Sequence, residues 1–202
     1  PPIGLTHSRR ARIGVLALQG SFLEHSLMLR RLGVDVVEVR TPDQLKAING
    51  LILPGGESTA ISTLIDLHEL RNPILELANN GMPIWGTCAG MIVLANTLTD
   101  SRPEPLHLMD IEVSRNAFGR QVDSFETDLQ IDDIKGPPFR AVFIRAPVVN
   151  SIGANVKVLA SLADGRPVAV RQGNMLATAF HPELTSDPRV HELFVGIVKE
   201  SQ

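Results

Sequence analysis

"PIWGTCAGMIVLANTL", residues 83–98, is the stretch that decides the fold. A short apolar run ends at Gly86-Thr87-Cys88-Ala89-Gly90, and the residues after Cys88 are apolar nearly all round. This pattern predicts a buried strand, a sharp turn and a buried helix. A strand feeding directly into a helix is the repeating unit of a parallel sheet.

The same unit recurs on the N-terminal side. "RIGVLAL" (12–18) reads as a strand buried on both faces, and "SFLEHSLMLRRLG" (21–33) as a helix with Ser21 and Glu24 at capping-box spacing and Gly33 at its stop. "DVVEVR" (35–40) predicts a second strand, followed by a helix in which Thr41 caps and Pro42 fits the first turn. "GLILPGG" (50–56) predicts a third buried strand that runs through a glycine turn, with Ser58 as a cap, into a helix from Glu57 to about Leu67. The expected fold is α/β, with a mostly parallel open sheet flanked by helices on both faces.

The second half changes character. From about Leu106 to Phe180 the segments are short and alternating, and "DGR" (164–166) and "QGN" (172–174) predict antiparallel hairpins. Val190, Leu193, Phe194, Ile197 and Val198 fall at helical spacing and are expected to pack a last helix onto the sheet. Residues 12–202 read as one domain behind a disordered leader, residues 1–11.

Composition narrows the function. Of 202 residues 44% are hydrophobic and 20% charged, which supports a substantial core. The formal charge of -3, with no basic cluster beyond "RRAR" near the start, argues against nucleic acid and anionic membranes as partners. Cys88 is the only cysteine, so an internal disulfide and a cysteine-based metal site are both excluded. No run reaches the ~20 apolar residues of a membrane helix, and the expected location is the cytoplasm.

Ligands of open parallel sheets bind beyond the carboxyl ends of the strands, which directs attention to four stretches: "LQG", "PGGEST", "GTCAG" and "FHPE". "GTCAG" has the Gly-X-nucleophile-X-Gly form of a strained strand-to-helix elbow, with Cys88 at a helix N-terminus that favours its thiolate. The simpler alternative is a buried cysteine between packing glycines. A thiolate attacking an amide also needs a proton donor. His7 lies in the leader, and His25, His68 and His191 fall within expected helices, where they are most simply solvated or packed. His181 is different: it precedes Pro182, which favours extended backbone, and Glu183 two residues on projects to the same side. Glu183 can therefore orient the imidazole, as the acid of a triad does. The backbone N–H of Ala89 and a peptide N–H of "PGG", at Gly55, are candidates for an oxyanion hole. The "GGES" turn lacks the lysine and spacing of a phosphate loop.

With these pieces assembled, the chain resembles the class I, triad-type glutamine amidotransferases. Within that class it is similar to the glutaminase subunits of the ribose-5-phosphate-dependent pyridoxal 5'-phosphate synthases. The resemblance rests on "GVLALQG", "LPGGEST", "GTCAGMIVLA", "SRNAFGRQVDSFE", "FIRAP" and "FHPELT". It implies a flavodoxin-like three-layer fold, with Cys88 as nucleophile, His181 as general acid/base and Glu183 as its partner. It further implies that Gly56, Glu57, Ser58, Arg115, Ile144 and Arg145 hold glutamine, with either Arg115 or Arg145 meeting its carboxylate, and that Gln19 lies at the rim. The implied reaction is hydrolysis of L-glutamine to glutamate through a Cys88 glutamyl thioester, with no cofactor and no metal. The ammonia would pass to a barrel-shaped synthase subunit for vitamin B6 synthesis in a large hetero-oligomer. The alternative is a glutaminase subunit serving histidine or purine biosynthesis.

Overall fold

The computed structural model describes residues 10–115 and 124–202. Strands and helices alternate through the first half: β1 (Arg12–Leu16), α1 (Phe22–Arg31), β2 (Asp35–Val39), α2 (Pro42–Leu45), β3 (Gly50–Leu53), α3 (Ser58–Leu67), α4 (Arg71–Asn79), β4 (Ile84–Thr87) and α5 (Ala89–Leu94). Strands then dominate: β5 (Ala95–Leu98), β6 (Met109–Ser114), β7 (Ser124–Leu129), β8 (Phe139–Ile144), β9 (Val148–Ile152), β10 (Lys157–Ser161), β11 (Pro167–Gln172) and β12 (Met175–Thr178). A 3-10 turn (Pro182–Leu184) and α6 (Arg189–Glu200) complete the chain.

The main sheet has the order β10-β11-β12-β4-β3-β1-β2. From β2 to β12 the strands run parallel, and the hairpins at "DGR" and "QGN" add β11 and β10 antiparallel, as expected. Gly165 (φ +89°) and Gly173 (φ +57°) supply the left-handed backbone those turns require.

Every residue of β3 and β4 is buried because helices cover both faces. Side chains alternate along β4, so Trp85 and Thr87 face one way and Gly86 the other. On the Trp85 face, its ring lies 5.4 Å from that of His25 in α1 and 4.7 Å and 5.6 Å from those of His191 and Phe194 in α6. The Gly86 face is covered by α5, which in turn packs on α3. The result is the expected three-layer α/β arrangement. Phe180 and Phe194 are fully buried, and burial of side chains this size stabilises by roughly 1.5–3 kcal/mol each.

Two smaller sheets stand beside the main one: β5-β6-β9, in which β5 and β6 run parallel, and the antiparallel pair β7-β8, where Phe125 and Phe143 stack at 4.6 Å. They carry the ends of β6 and β8, residues 115 and 144–145, toward the site described below.

The structure corrects two sequence expectations and adds one helix that the sequence reading did not name. The helix after Cys88 stops at Leu94, and Ala95–Leu98 becomes β5 because pairing with β6 supplies partners for its backbone. Helix α4 is not announced by spacing, since Ile74 alone among its residues is fully buried. Ser21 precedes α1 with φ -85° and ψ 38°, and its side chain makes no capping bond, so the capping box does not form. Of the expected leader, residues 1–9 lie outside the described residues, and Ala11 is buried in the core. Among the described residues no helix is long and apolar enough to cross a membrane.

Candidate active site

Cys88 sits at the junction of β4 and α5 with φ +52°, a left-handed conformation costly for a side chain with a Cβ. Its surroundings impose that conformation. The Cys88 N–H donates to the Thr178 carbonyl of β12 at 2.8 Å, and the Cys88 carbonyl accepts the first helical bond of α5, from Met91 N–H at 3.0 Å. The two glycines of the elbow are there for close approach. A Cβ on Gly86 would lie 2.4 Å from the Gly90 carbonyl oxygen, and one on Gly90 would lie 1.9 Å from that of Leu53. Helix α5 can sit this close to β3 and β4 only without those side chains.

Cys88, 6% exposed, opens onto a cavity of about 470 Å³. The cavity gathers residues from widely separated stretches: Gly55, Gly56, Glu57 and Ser58 from the turn after β3; Cys88 and Ala89 from the elbow; Arg115 from the end of β6; Ile144 and Arg145 from the end of β8; and His181. Glu183 lies behind His181, away from the cavity, and is fully buried in its side chain.

His181 Nδ1 is hydrogen-bonded to Glu183 Oε1. The pair meets as expected from the spacing but by a different route. Pro182–Leu184 form a 3-10 turn rather than continuing an extended strand, and the turn folds the carboxylate back under the imidazole. The His181 N–H donates to the Val142 carbonyl of β8 at 2.9 Å, which ties the histidine to the strand that carries Ile144 and Arg145. Burial opposes a charge on His181, but its hydrogen bonds to Cys88 and Glu183 outweigh that and push its pKa up to about 10. Burial likewise opposes ionisation of Glu183, yet His25 and His181 on its two sides hold the carboxyl below its usual range. The Cys88 Sγ also lies 3.6 Å from the Ile144 carbonyl oxygen.

The turn after β3 is stapled from several directions. The Glu57 carboxylate, not Ser58, caps α3, accepting from Thr59 N–H at 3.1 Å and Ala60 N–H at 2.6 Å; its longer side chain reaches back over the first turn. Ser58 instead accepts from Arg115 Nη1 at 3.4 Å, an atom that also donates to Thr59 Oγ1 at 2.9 Å and lies 3.7 Å from Glu57 Oε1. Gln19 Oε1 accepts the Glu57 N–H at 2.9 Å, which places Gln19 beside this turn. Gly55 packs directly on His181: a Cβ there would lie 2.5 Å from His181 Cε1. Its carbonyl accepts the Ser21 N–H at 2.9 Å.

Two site neighbours escape a reading of the sequence. Ser21 donates its hydroxyl to Glu183 Oε1 at 3.3 Å, and the fully buried His25 lies 3.3 Å from Glu183 Oε2. The signal was present for His25, since it interrupts the inward-facing stripe of α1 formed by Phe22, Ser26 and Leu29. Of the "NAFGRQ" stretch, residues 116–121 lie outside the described residues. Among the described residues no group of three His, Cys, Asp or Glu side chains is placed to hold a metal ion.

The arrangement can attack an electrophilic carbonyl with Cys88, protonate a leaving group with His181 and hold an amino acid by its charges. Comparison with known proteins agrees with that chemistry. Residues 15–200 match the model of the SNO glutamine amidotransferase family. A pyridoxal 5'-phosphate synthase subunit PdxT of Herpetosiphon aurantiacus is 58% identical over 188 residues, 92% of this chain and 99% of that protein. The protein of the same name from Dehalococcoides mccartyi is 56% identical, over 94% and 98%. A crystal structure described as a glutamine amidotransferase superposes with a TM-score of 0.87 at 46% identity, covering 92% of this chain and 98% of that one. The crystal structure of a putative GMP synthase component from Thermoplasma acidophilum shares the fold, with a TM-score of 0.69 at 19% identity, covering 96% of this chain and 97% of that one.

Proposed function

The chain belongs to the SNO glutamine amidotransferase family, and on that premise we propose that Cys88, His181 and Glu183 are its catalytic triad. It is a glutaminase of the pyridoxal 5'-phosphate synthase type, acting in vitamin B6 biosynthesis. The observation that carries the triad assignment is the convergence of the strained Cys88 elbow and the His181–Glu183 pair on one cavity.

The substrate's two charges match the cavity wall. Arg115 presents its guanidinium beside Ser58 and Thr59, where it takes the α-carboxylate of glutamine, and the Glu57 carboxylate within 3.7 Å of it is suited to the α-ammonium. Gly56, Ile144 and Arg145 close the remaining walls. The side-chain amide then points at Cys88. Cys88 Sγ attacks the amide carbonyl carbon, with the thiol's proton held on His181. The negative charge that develops on oxygen falls to the Ala89 N–H and to an N–H of the turn at Gly55. As the C–N bond breaks, His181 gives its proton to the departing ammonia. The neutral imidazole next takes a proton from water, whose oxygen attacks the thioester and releases glutamate. Glu183 stays ionised throughout and fixes the orientation of the imidazole.

The recipient of the ammonia is the barrel-shaped synthase subunit, and the relatives' name supports that pairing. So do three leucines that are left in solvent, one lining the cavity and two on α1, which begins just after the cavity-lining Ser21. Leu23 and Leu27 on α1 are 51% and 48% exposed, and Leu184, which lines the cavity, is 45% exposed. Exposed apolar groups beside a site suit a protein partner more than open water.

The test is Cys88→Ala assayed together with the synthase subunit. Glutamine-dependent product formation should vanish, while free ammonia restores it. Unchanged glutamine use would remove Cys88 from the mechanism.

A further inference from the structure

Behind the triad, on the core side of Glu183, lies a polar cluster with no place in the mechanism above. His25 and His191 are each 0% exposed, and both meet Trp85 in edge-on contacts. His25 Nδ1 lies 2.9 Å from His191 Nε2; its Nε2 lies 3.2 Å from Thr87 Oγ1 and 3.3 Å from Glu183 Oε2. Among the described residues, the buried side-chain atoms without a conventional hydrogen bond include both ends of this chain, Glu183 Oε2 and His191 Nδ1.

The facing carboxylate favours one arrangement of protons. An ionised carboxylate only accepts, so a proton on the His25 nitrogen facing Glu183 Oε2 avoids setting a lone pair against an anion. Burial keeps His25 neutral, against the pull of Glu183 and with His181 adding repulsion, so its Nδ1 carries no proton and accepts from His191 Nε2–H. Burial and His25 keep His191 neutral as well, which leaves its Nδ1 bare and explains why that atom has no partner. The groups facing His25 are thus Glu183 and His181 from the site, Thr87 and Trp85 from β4, His191 from α6, and Glu24 on its own helix.

We propose that His25 is a positioning residue for the triad. Its Nε2–H, supported from behind by His191 and shared with Thr87 Oγ1, engages Oε2 of Glu183 and turns Oε1 toward His181 Nδ1. A carboxylate bound on one oxygen can still swing about its last torsion, and a donor on the second oxygen stops that motion. The contact of 3.3 Å is longer than an ordinary N–H···O bond, and such bonds commonly tighten in the reacting complex. The inference rests on the triad reading above.

Its test compares variants in glutamine turnover with the synthase subunit present. His25→Met removes the donor at similar volume and should lower kcat about ten-fold, the size expected for one hydrogen bond to a charged group, with KM for glutamine within about two-fold. His25→Gln places an amide N–H where Nε2 stands and should recover to within about three-fold of the parent. In the background of Glu183→Gln, the His25→Met change should cost nothing further, since its effect passes through that carboxylate. Equal loss in His25→Met and His25→Gln, or multiplied losses in the double variant, would overturn the assignment while leaving the triad intact. Glu183→Gln at the parent rate would instead overturn the triad reading itself. A measurement that needs no variant is the nitrogen NMR of the histidines in the full chain near neutral pH. It should find His25 neutral and protonated on Nε2, and protonation on Nδ1 alone would refute the proposal.

Discussion

Glu183 separates two histidines that share its carboxylate and little else. His181 stands on the cavity side, its side chain 10% exposed, between a carboxylate and a thiol. His25 stands on the core side, with no exposure, between the same carboxylate and another neutral histidine. The first is pushed up to about 10 and carries a proton at neutral pH; the second is held below its ordinary value by burial and does not. One carboxylate can stabilise one cation beside it, and His181, less deeply buried and hydrogen-bonded to Cys88 as well, takes the charge. On the proposed mechanism the cavity side moves protons, while the core side aims the group that does.

The largest break in this contrast comes from the cavity side. His181→Asn keeps a hydrogen-bonding side chain but no base, and glutamine turnover in the presence of the synthase should fall by about 10³-fold or more. A loss as small as that expected for His25→Met would mean the two histidines do not differ in kind. Next in size is Gly55→Ala, whose Cβ would press on His181 Cε1 at 2.5 Å and approach the Cys88 Cβ at 3.5 Å. It should cost about 10²-fold in kcat, the scale of a misplaced catalytic group, while circular dichroism shows the fold retained. Full activity would show that the turn yields and the packing is slack.

The smallest effect is in stability against pH, and it has opposite signs on the two sides. His181 has a raised pKa, so its contribution is complete below about 6.5 and is lost as pH climbs through about 10. His25 and His191 have lowered values, so theirs is present above 6.5 and is lost as pH falls toward those values. Denaturant titrations should find maximal stability between these limbs. His181→Asn should flatten the alkaline limb most, and His191→Leu the acid limb alone. An alkaline limb untouched by His181→Asn, or flattened by His191→Leu, would contradict the separation.

Much of this could be read in the sequence, for physical reasons. Fully buried parallel strands must be apolar throughout, which is why "RIGVLAL", "GLIL" and "PIWGT" stood out, and the positive backbone angle at Gly165 and Gly173 marked the hairpins. The elbow was legible because only glycines fit where Gly86 and Gly90 touch neighbouring carbonyls. Less legible were features set by distant partners. Ser21 looks like a cap, yet Gly55 and Glu183, 34 and 162 residues away, claim its hydroxyl. Glu57 takes over the capping that Ser58 was expected to do. Ala95–Leu98 leaves the helical pattern because β6 pairs with it. His191 lies on the inward stripe of α6 with Phe194 and Val198, and no local rule says that its partner is His25.

The grip of Ser21 links timing to place. Its backbone N–H holds the Gly55 carbonyl, its hydroxyl reaches Glu183, and the residue sits at the head of α1, whose outer face carries Leu23 and Leu27. The glycine turn and the Glu183 carboxylate thus hang from one handle on the protein's outside. An ångström of travel at the head of this helix cannot leave both where they were. On the proposed mechanism the site is only as still as α1, and a partner resting on those leucines would help to set the tempo of the chemistry.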